Sequence, residues 1–142
     1  MKRIATAVLL VAATSSVALA VARSGSWSGM VMGKGGSKIH GTAVMKAGKD
    51  ANTTEVTVKY SDDAASMTRP WHIHVGSCAT AGGVFGGGKS YTAVAGDAKG
   101  VGESMATLAV AMPETGSYYV NIHESATAMA NIVACGDLKH EK

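Results

Sequence analysis

Residues 53–60 of this chain read Thr-Thr-Glu-Val-Thr-Val-Lys-Tyr, which places Val56, Val58 and Tyr60 on one side of a two-residue period. Glu55, Thr57 and Lys59 fall on the other side. That alternation buries one face of a pleated strand and wets the other, and a helix with its 3.6-residue period cannot use it. Similar short apolar or alternating runs recur at 39–47, 71–75, 91–95, 104–110, 117–123 and 131–134. Turn residues separate them, among them Ala47-Gly48-Lys49-Asp50, Gly96-Asp97, Lys99-Gly100 and Pro113-Glu114-Thr115-Gly116. No segment sustains a helical period; residues 126–130 suffice for one turn. The pattern predicts an all-β, antiparallel sandwich or barrel of about seven to eight strands.

The two ends of the chain read differently. Lys2 and Arg3 precede a mostly apolar run over 4–11, and small residues then lead to Ala18-Leu19-Ala20. This is the pattern of an export signal, with an A-x-A cleavage site after Ala20 and a second option after Ala22. The apolar run is shorter than the roughly 20 residues that cross a bilayer. A signal peptide over 1–20 implies a periplasmic or secreted protein with no membrane attachment after cleavage. Residues 21–37 are Gly/Ser-rich and aperiodic, which predicts a flexible leader before a β domain over 38–138. Residues 139–142 read as a polar tail.

The charge balance narrows the partners. The full chain has 13 Lys+Arg against 10 Asp+Glu, and cleavage removes two of those cations, Lys2 and Arg3. No basic run interleaved with aromatics remains, so no nucleic-acid partner is expected. Residues 83–90, Gly-Val-Phe-Gly-Gly-Gly-Lys-Ser, formally fit a phosphate-binding loop. That loop needs a helix after it, and residues 91–95 read as strand, so no nucleotide is expected.

Cys78 and Cys135 are the only cysteines. In an exported protein an even pair reads as a disulfide; the competing reading is a pair of thiolate metal ligands without C-x-x-C spacing. A bridge closing so long a loop would stabilise the fold by about 4 kcal/mol on the chain-entropy model.

The histidines follow from strand parity. In Trp71-His72-Ile73-His74-Val75 both imidazoles share one face, and Trp71, Ile73 and Val75 share the core-facing side. In Tyr118-Tyr119-Val120-Asn121-Ile122-His123 the apolar face is Tyr118, Val120 and Ile122, which leaves His123 opposite, with Tyr119 and Asn121. Two strands therefore present three imidazoles on their outer sides. Imidazole is a ligand for copper and zinc in particular. Met30, Met32 and Met67 are thioethers of the kind that favours Cu(I), but they stand outside this set, as do His40 and His140, which read as solvated side chains.

His72-Ile73-His74 followed by Cys78, then Asn121-Ile122-His123-Glu124-Ser125-Ala126, then Ala134-Cys135-Gly136-Asp137 together resemble the Cu,Zn superoxide dismutase superfamily. That family has an H-V-H copper pair, a cysteine shortly afterwards, a V-V-H-E-K-A segment and a terminal A-C-G. Order and flanks agree over roughly residues 38–138. The resemblance implies a Greek-key β-barrel, His72, His74 and His123 as ligands to one copper ion, and a Cys78–Cys135 bridge. Zinc is the alternative occupant, since three imidazoles serve either metal.

The departures bear on activity. Between Cys78 and His123 there is no histidine, so the family's copper–zinc bridging ligand and its zinc site are missing. The family's active-site arginine, three residues before the last cysteine, is replaced by Ile132. An isoleucine draws no anion toward a metal; Arg69 is the nearby cation in sequence. These features together predict an exported copper-binding protein with little or no dismutase activity, serving copper storage, delivery or tolerance with a copper donor or acceptor protein as partner. The alternatives are a copper-only superoxide dismutase and a structural β-domain whose histidines bind nothing.

Overall fold

Alternation becomes architecture through which side chains each strand turns inward. The computed structural model describes residues 25–142; the expected signal peptide and its cleavage site lie outside them. Nine strands follow in order: β1 (Ser26–Gly33), β2 (His40–Ala47), β3 (Thr54–Ser61), β4 (Thr68–Arg69), β5 (Trp71–Val75), β6 (Val94–Ala95), β7 (Gly102–Leu108), β8 (Tyr118–His123) and β9 (Ile132–Glu141). A single 3-10 turn, Gly88–Ser90, is the one helical element among the described residues. None of the described residues forms a helix long and apolar enough to cross a membrane.

Seven strands form one antiparallel sheet in the order β5-β8-β9-β1-β2-β3-β7, and β4 pairs with β6 in a second, two-residue ladder. β1, β2 and β3 are a meander, whereas β5 and β7 lie at opposite edges of the sheet. The chain therefore crosses over twice, between β3 and β5 and between β7 and β8, in the Greek-key manner. The sheet curls into a half-barrel, so residues from both edges meet in one core. Trp71 and Ile73 of β5 share it with Val56 and Val58 of β3 and Leu108 of β7. Both core indoles find acceptors, Trp27 Nε1 donating to the Pro113 carbonyl (2.8 Å) and Trp71 Nε1 to that of Thr92 (2.9 Å).

Residues 21–37 are not a leader throughout. β1 lies at the middle of the sheet between β9 and β2, with Trp27 and Val31 buried in the core. Its alternation is disguised because its outward positions include Met30 and Met32, which are exposed, and an inward one is Gly29. A Cβ at Gly29 would collide with the Asp137 carbonyl, and one at Gly136 with the Met30 carbonyl. Glycine permits that approach of β1 to β9 where any larger residue would force the strands apart.

The polar tail is corrected for the same reason. β9 continues to Glu141, with Lys139 opposite Ser28 and His140 opposite Trp27. The expected strand at 91–95 shrinks to Val94–Ala95, because Tyr91 instead hydrogen-bonds the Phe85 carbonyl (2.8 Å) and stacks edge-on against Trp71. Val75 is also corrected: it is exposed rather than core-facing, since the chain leaves the sheet at Gly76 with φ of 111°.

Candidate metal centre

β5 and β8 are direct antiparallel neighbours, with His72 opposite Asn121 and His74 opposite Tyr119. At the end of β8 the register shifts between Ile122 and His123, and the His123 amide donates to the Pro70 carbonyl (2.8 Å) just ahead of β5. The three imidazoles therefore meet on one face. Ring centroids are 5.1 Å apart for His72–His123, 5.8 Å for His72–His74 and 6.1 Å for His74–His123. One ring nitrogen from each lies within 4.8 Å of the other two.

The hydrogen bonds assign the tautomers. His123 Nδ1 is 2.6 Å from the Met129 carbonyl, and His74 Nδ1 is 3.0 Å from that of Gly82. A carbonyl only accepts, so both Nδ1 atoms donate and both Nε2 atoms keep a lone pair. His74 Nε2 is buried with no hydrogen-bond partner. His123 Nε2 faces His72 Nδ1 at 3.1 Å. The donor set is therefore His72 Nδ1, His74 Nε2 and His123 Nε2.

This set fits a metal ion. Bonds of about 2.0–2.1 Å at tetrahedral to trigonal angles put two ligating nitrogens about 3.3–3.6 Å apart, so a pair at the 4.8 Å limit closes by about 1.2–1.5 Å on binding, within the reach of side-chain rotation. The orphaned lone pair of His74 would gain a partner. The Met129 and Gly82 carbonyls hold the outer ring N–H groups, which orients metal-bound imidazoles and raises their basicity. Copper and zinc both accept three imidazoles.

The face is not the open, polar surface that strand parity suggested. Tyr119, Asn121 and His123 are buried. The loop after β5 returns over them: Val84 bridges back to His74, Gly82 N–H donates to the Tyr119 hydroxyl (3.3 Å), and Tyr119 stacks on the His74 ring at 5.1 Å. A Cβ on Gly82 would strike the Val75 carbonyl, so glycine lets the loop come this close. On the other flank Tyr91 meets His72 edge-on at 5.1 Å.

Burial favours neutral rings. It pulls the His72 pKa down to about 4, with further lowering by the charges of His123 and His74. Burial also lowers that of His123, partly offset by its bond to the Met129 carbonyl, with His74 lowering it further. Neutral imidazole is the form that ligates a metal.

Cys78 and Cys135 are joined, closing a loop with a sequence separation of 57. The bridge anchors the covering loop to β9, and the Cys78 amide also donates to Asp137 Oδ1 (2.7 Å). The thiolate-ligand reading of these cysteines is thereby replaced.

The remaining sequence candidates stay outside the centre. Arg69 is buried and committed: its guanidinium forks onto Asp63 (2.8 and 2.7 Å), and Nη1 donates to the Glu124 carbonyl (2.7 Å). Ile132 is the cross-strand partner of His123. His40 is exposed and bonded to Asp62 and Ser61. His140, expected to be solvated, instead packs on Trp27 at 4.8 Å with its Nε2 buried. Met30 and Met32 project from a strand. Residues 83–90 form a bridge and a 3-10 turn, followed by extended chain.

No protein-family model matches this chain, and no curated protein matches it.

Proposed function

We propose that this is an exported, copper-binding protein related to the Cu,Zn superoxide dismutases, holding one copper ion on His72 Nδ1, His74 Nε2 and His123 Nε2. Zinc competes for the same nitrogens. The observation that carries the reading is the convergence of one ring nitrogen from each of the three histidines within 4.8 Å, that of His74 buried without any partner. The Greek-key strand order and the bridge joining Cys78 to Cys135 support the kinship. The bridge and the apolar N-terminal run support a periplasmic or secreted location.

Storage, delivery or tolerance of copper fits this site better than catalysis. The copper, when bound, supplies a redox-active centre, but neither Arg69 nor position 132 supplies a free cation beside it. Arg69 is saturated by Asp63 and the Glu124 carbonyl, and Ile132 stands at the position of the family's arginine. The covering loop and Tyr119 further restrict approach to His74. A copper donor or acceptor protein is the partner this role requires.

The test is a superoxide-removal assay on copper-loaded protein. Activity near that of free buffer, with copper retained by the wild type and lost in His123→Ala, supports binding without turnover. Removal at a rate near that of a true dismutase, abolished by His123→Ala, would establish a copper-only dismutase instead.

A further inference from the structure

A hydroxyl, an imidazole and a carboxylate meet away from the three-histidine centre, where the β2–β3 ladder begins. His40 opens β2, Ser61 closes β3, and the two are direct cross-strand partners. Ser61 Oγ is 3.2 Å from His40 Nε2, and Asp62 Oδ2 is 2.9 Å from His40 Nδ1. The carboxylate only accepts, so Nδ1 holds a proton, and in the neutral ring Nε2 turns its lone pair to the Ser61 hydroxyl. Hydroxyl, imidazole and carboxylate are then linked in the sequence that activates a nucleophilic serine.

Consecutive residues of a regular strand point to opposite faces, so Ser61 and Asp62 should not both reach one ring. Asp62 does so from a left-handed backbone, with φ of 61°. Aspartate enters that conformation more readily than most side chains, and here it turns the chain so that the carboxylate meets the ring. Beside the relay lies an open cleft of about 270 Å³, bordered by His40, Ser61, Lys59, Glu103 and Val101. Val101 gives it an exposed apolar wall. Lys59, two residues before Ser61 on the same face, brings an ammonium that pairs with Glu103 at 3.0 Å.

We propose that Ser61, His40 and Asp62 form an acyl-transfer site for small, uncharged esters, separate from the three-histidine centre. Ser61 Oγ bonds to the ester carbonyl carbon as its proton passes to His40 Nε2. The ester C–O bond breaks, and the alcohol departs with that proton. Water then adds to the acyl-serine, giving its proton to His40. The carboxylic acid leaves as Ser61 Oγ takes the proton back. Ser61 and His40 are the catalytic residues; Asp62 is a positioning residue that fixes the ring and its tautomer. The relay is half exposed, which sets its rate gain at the low end of the roughly 10²–10⁴-fold that a positioned base contributes.

The test uses the whole chain with a fluorophosphonate probe and with 4-nitrophenyl acetate. One equivalent of probe is expected on Ser61, located by peptide mass, together with an acetyl-enzyme burst that Ser61→Ala removes. His40→Gln and Asp62→Asn should each slow labelling by at least ~10-fold while the unfolding transition stays in place, and Asp62→Glu should restore most of the rate. The heat-unfolded wild-type chain is the control that needs no variant to fold. Labelling of Ser61 no faster than in that control, or equally fast in folded His40→Gln, overturns the proposal.

Discussion

Nδ1 of His72 and Nε2 of His123 lie 3.1 Å apart, with a single hydrogen between them. His123 already spends its Nδ1 proton on the Met129 carbonyl, so His72 is the donor in the metal-free protein. The position a cation would take between these nitrogens is thus held by one proton, inside a site whose burial disfavours a second. The centre is prepared for a positive ion and poorly suited to an imidazolium.

Acid should therefore destabilise the metal-free protein before its carboxylates titrate. The His72 pKa is about 4 in the folded chain against 6.5 when unfolded, and that of His123 is lowered as well. Between those values the unfolded chain binds protons that the folded chain refuses, so stability is full above about pH 6.5 and is lost as pH falls toward 4. Thermal unfolding of chelator-treated protein should show the midpoint falling across this window, and less steeply in His72→Asn. A midpoint that rises or stays level as pH falls would contradict the assignment.

Arg69 and Asp63 form a buried pair that also grips the chain just after His123. The Arg69 side chain is 9% exposed and that of Asp63 4%, so removing either leaves an uncompensated charge inside. Arg69→Met should cost about 3–5 kcal/mol, and Arg69→Met combined with Asp63→Leu should cost clearly less than the two single changes together. Urea unfolding of the four proteins measures this cycle. Additive single effects would show that the pair is not coupled.

β1 fills the middle of the sheet, so its loss should be global. A chain beginning at residue 25 should unfold cooperatively, whereas one beginning at residue 38 should lack a transition, because β9 and β2 would both become unpaired edges around a core without Trp27 and Val31. Circular dichroism and thermal scans of the two truncations decide this. A cooperative transition in the shorter chain would show that the sheet does not need β1.

That strand also marks where the sequence could not be read. The strict alternation in β3 and the H-x-H parity of β5 were legible because side chains of opposite polarity occupy opposite faces. β1 hid its period behind Gly29, required by the approach of β9, and behind methionines on its outer side. At the histidine cluster parity placed His72, His74 and His123 correctly, together with Tyr119, on one face. It could not reveal that the face is covered. The groups that orient His74 and His123 are the carbonyls of Gly82 and Met129. A backbone carbonyl leaves no residue signature, and the glycine-rich loop acts through its main chain. Likewise Arg69 was visible as a cation near β5, but its commitment to Asp63 depends on a turn that only the fold brings into place.

The most direct measurement is the copper content of the protein after loading and removal of excess metal, with His72→Ala, His74→Ala and His123→Ala measured beside it. One copper per chain in the wild type, and well below one in each variant that keeps a cooperative unfolding transition, is the predicted result. Copper retained at one per chain in folded His72→Ala, or none retained by the wild type, would contradict a centre built on these three imidazoles.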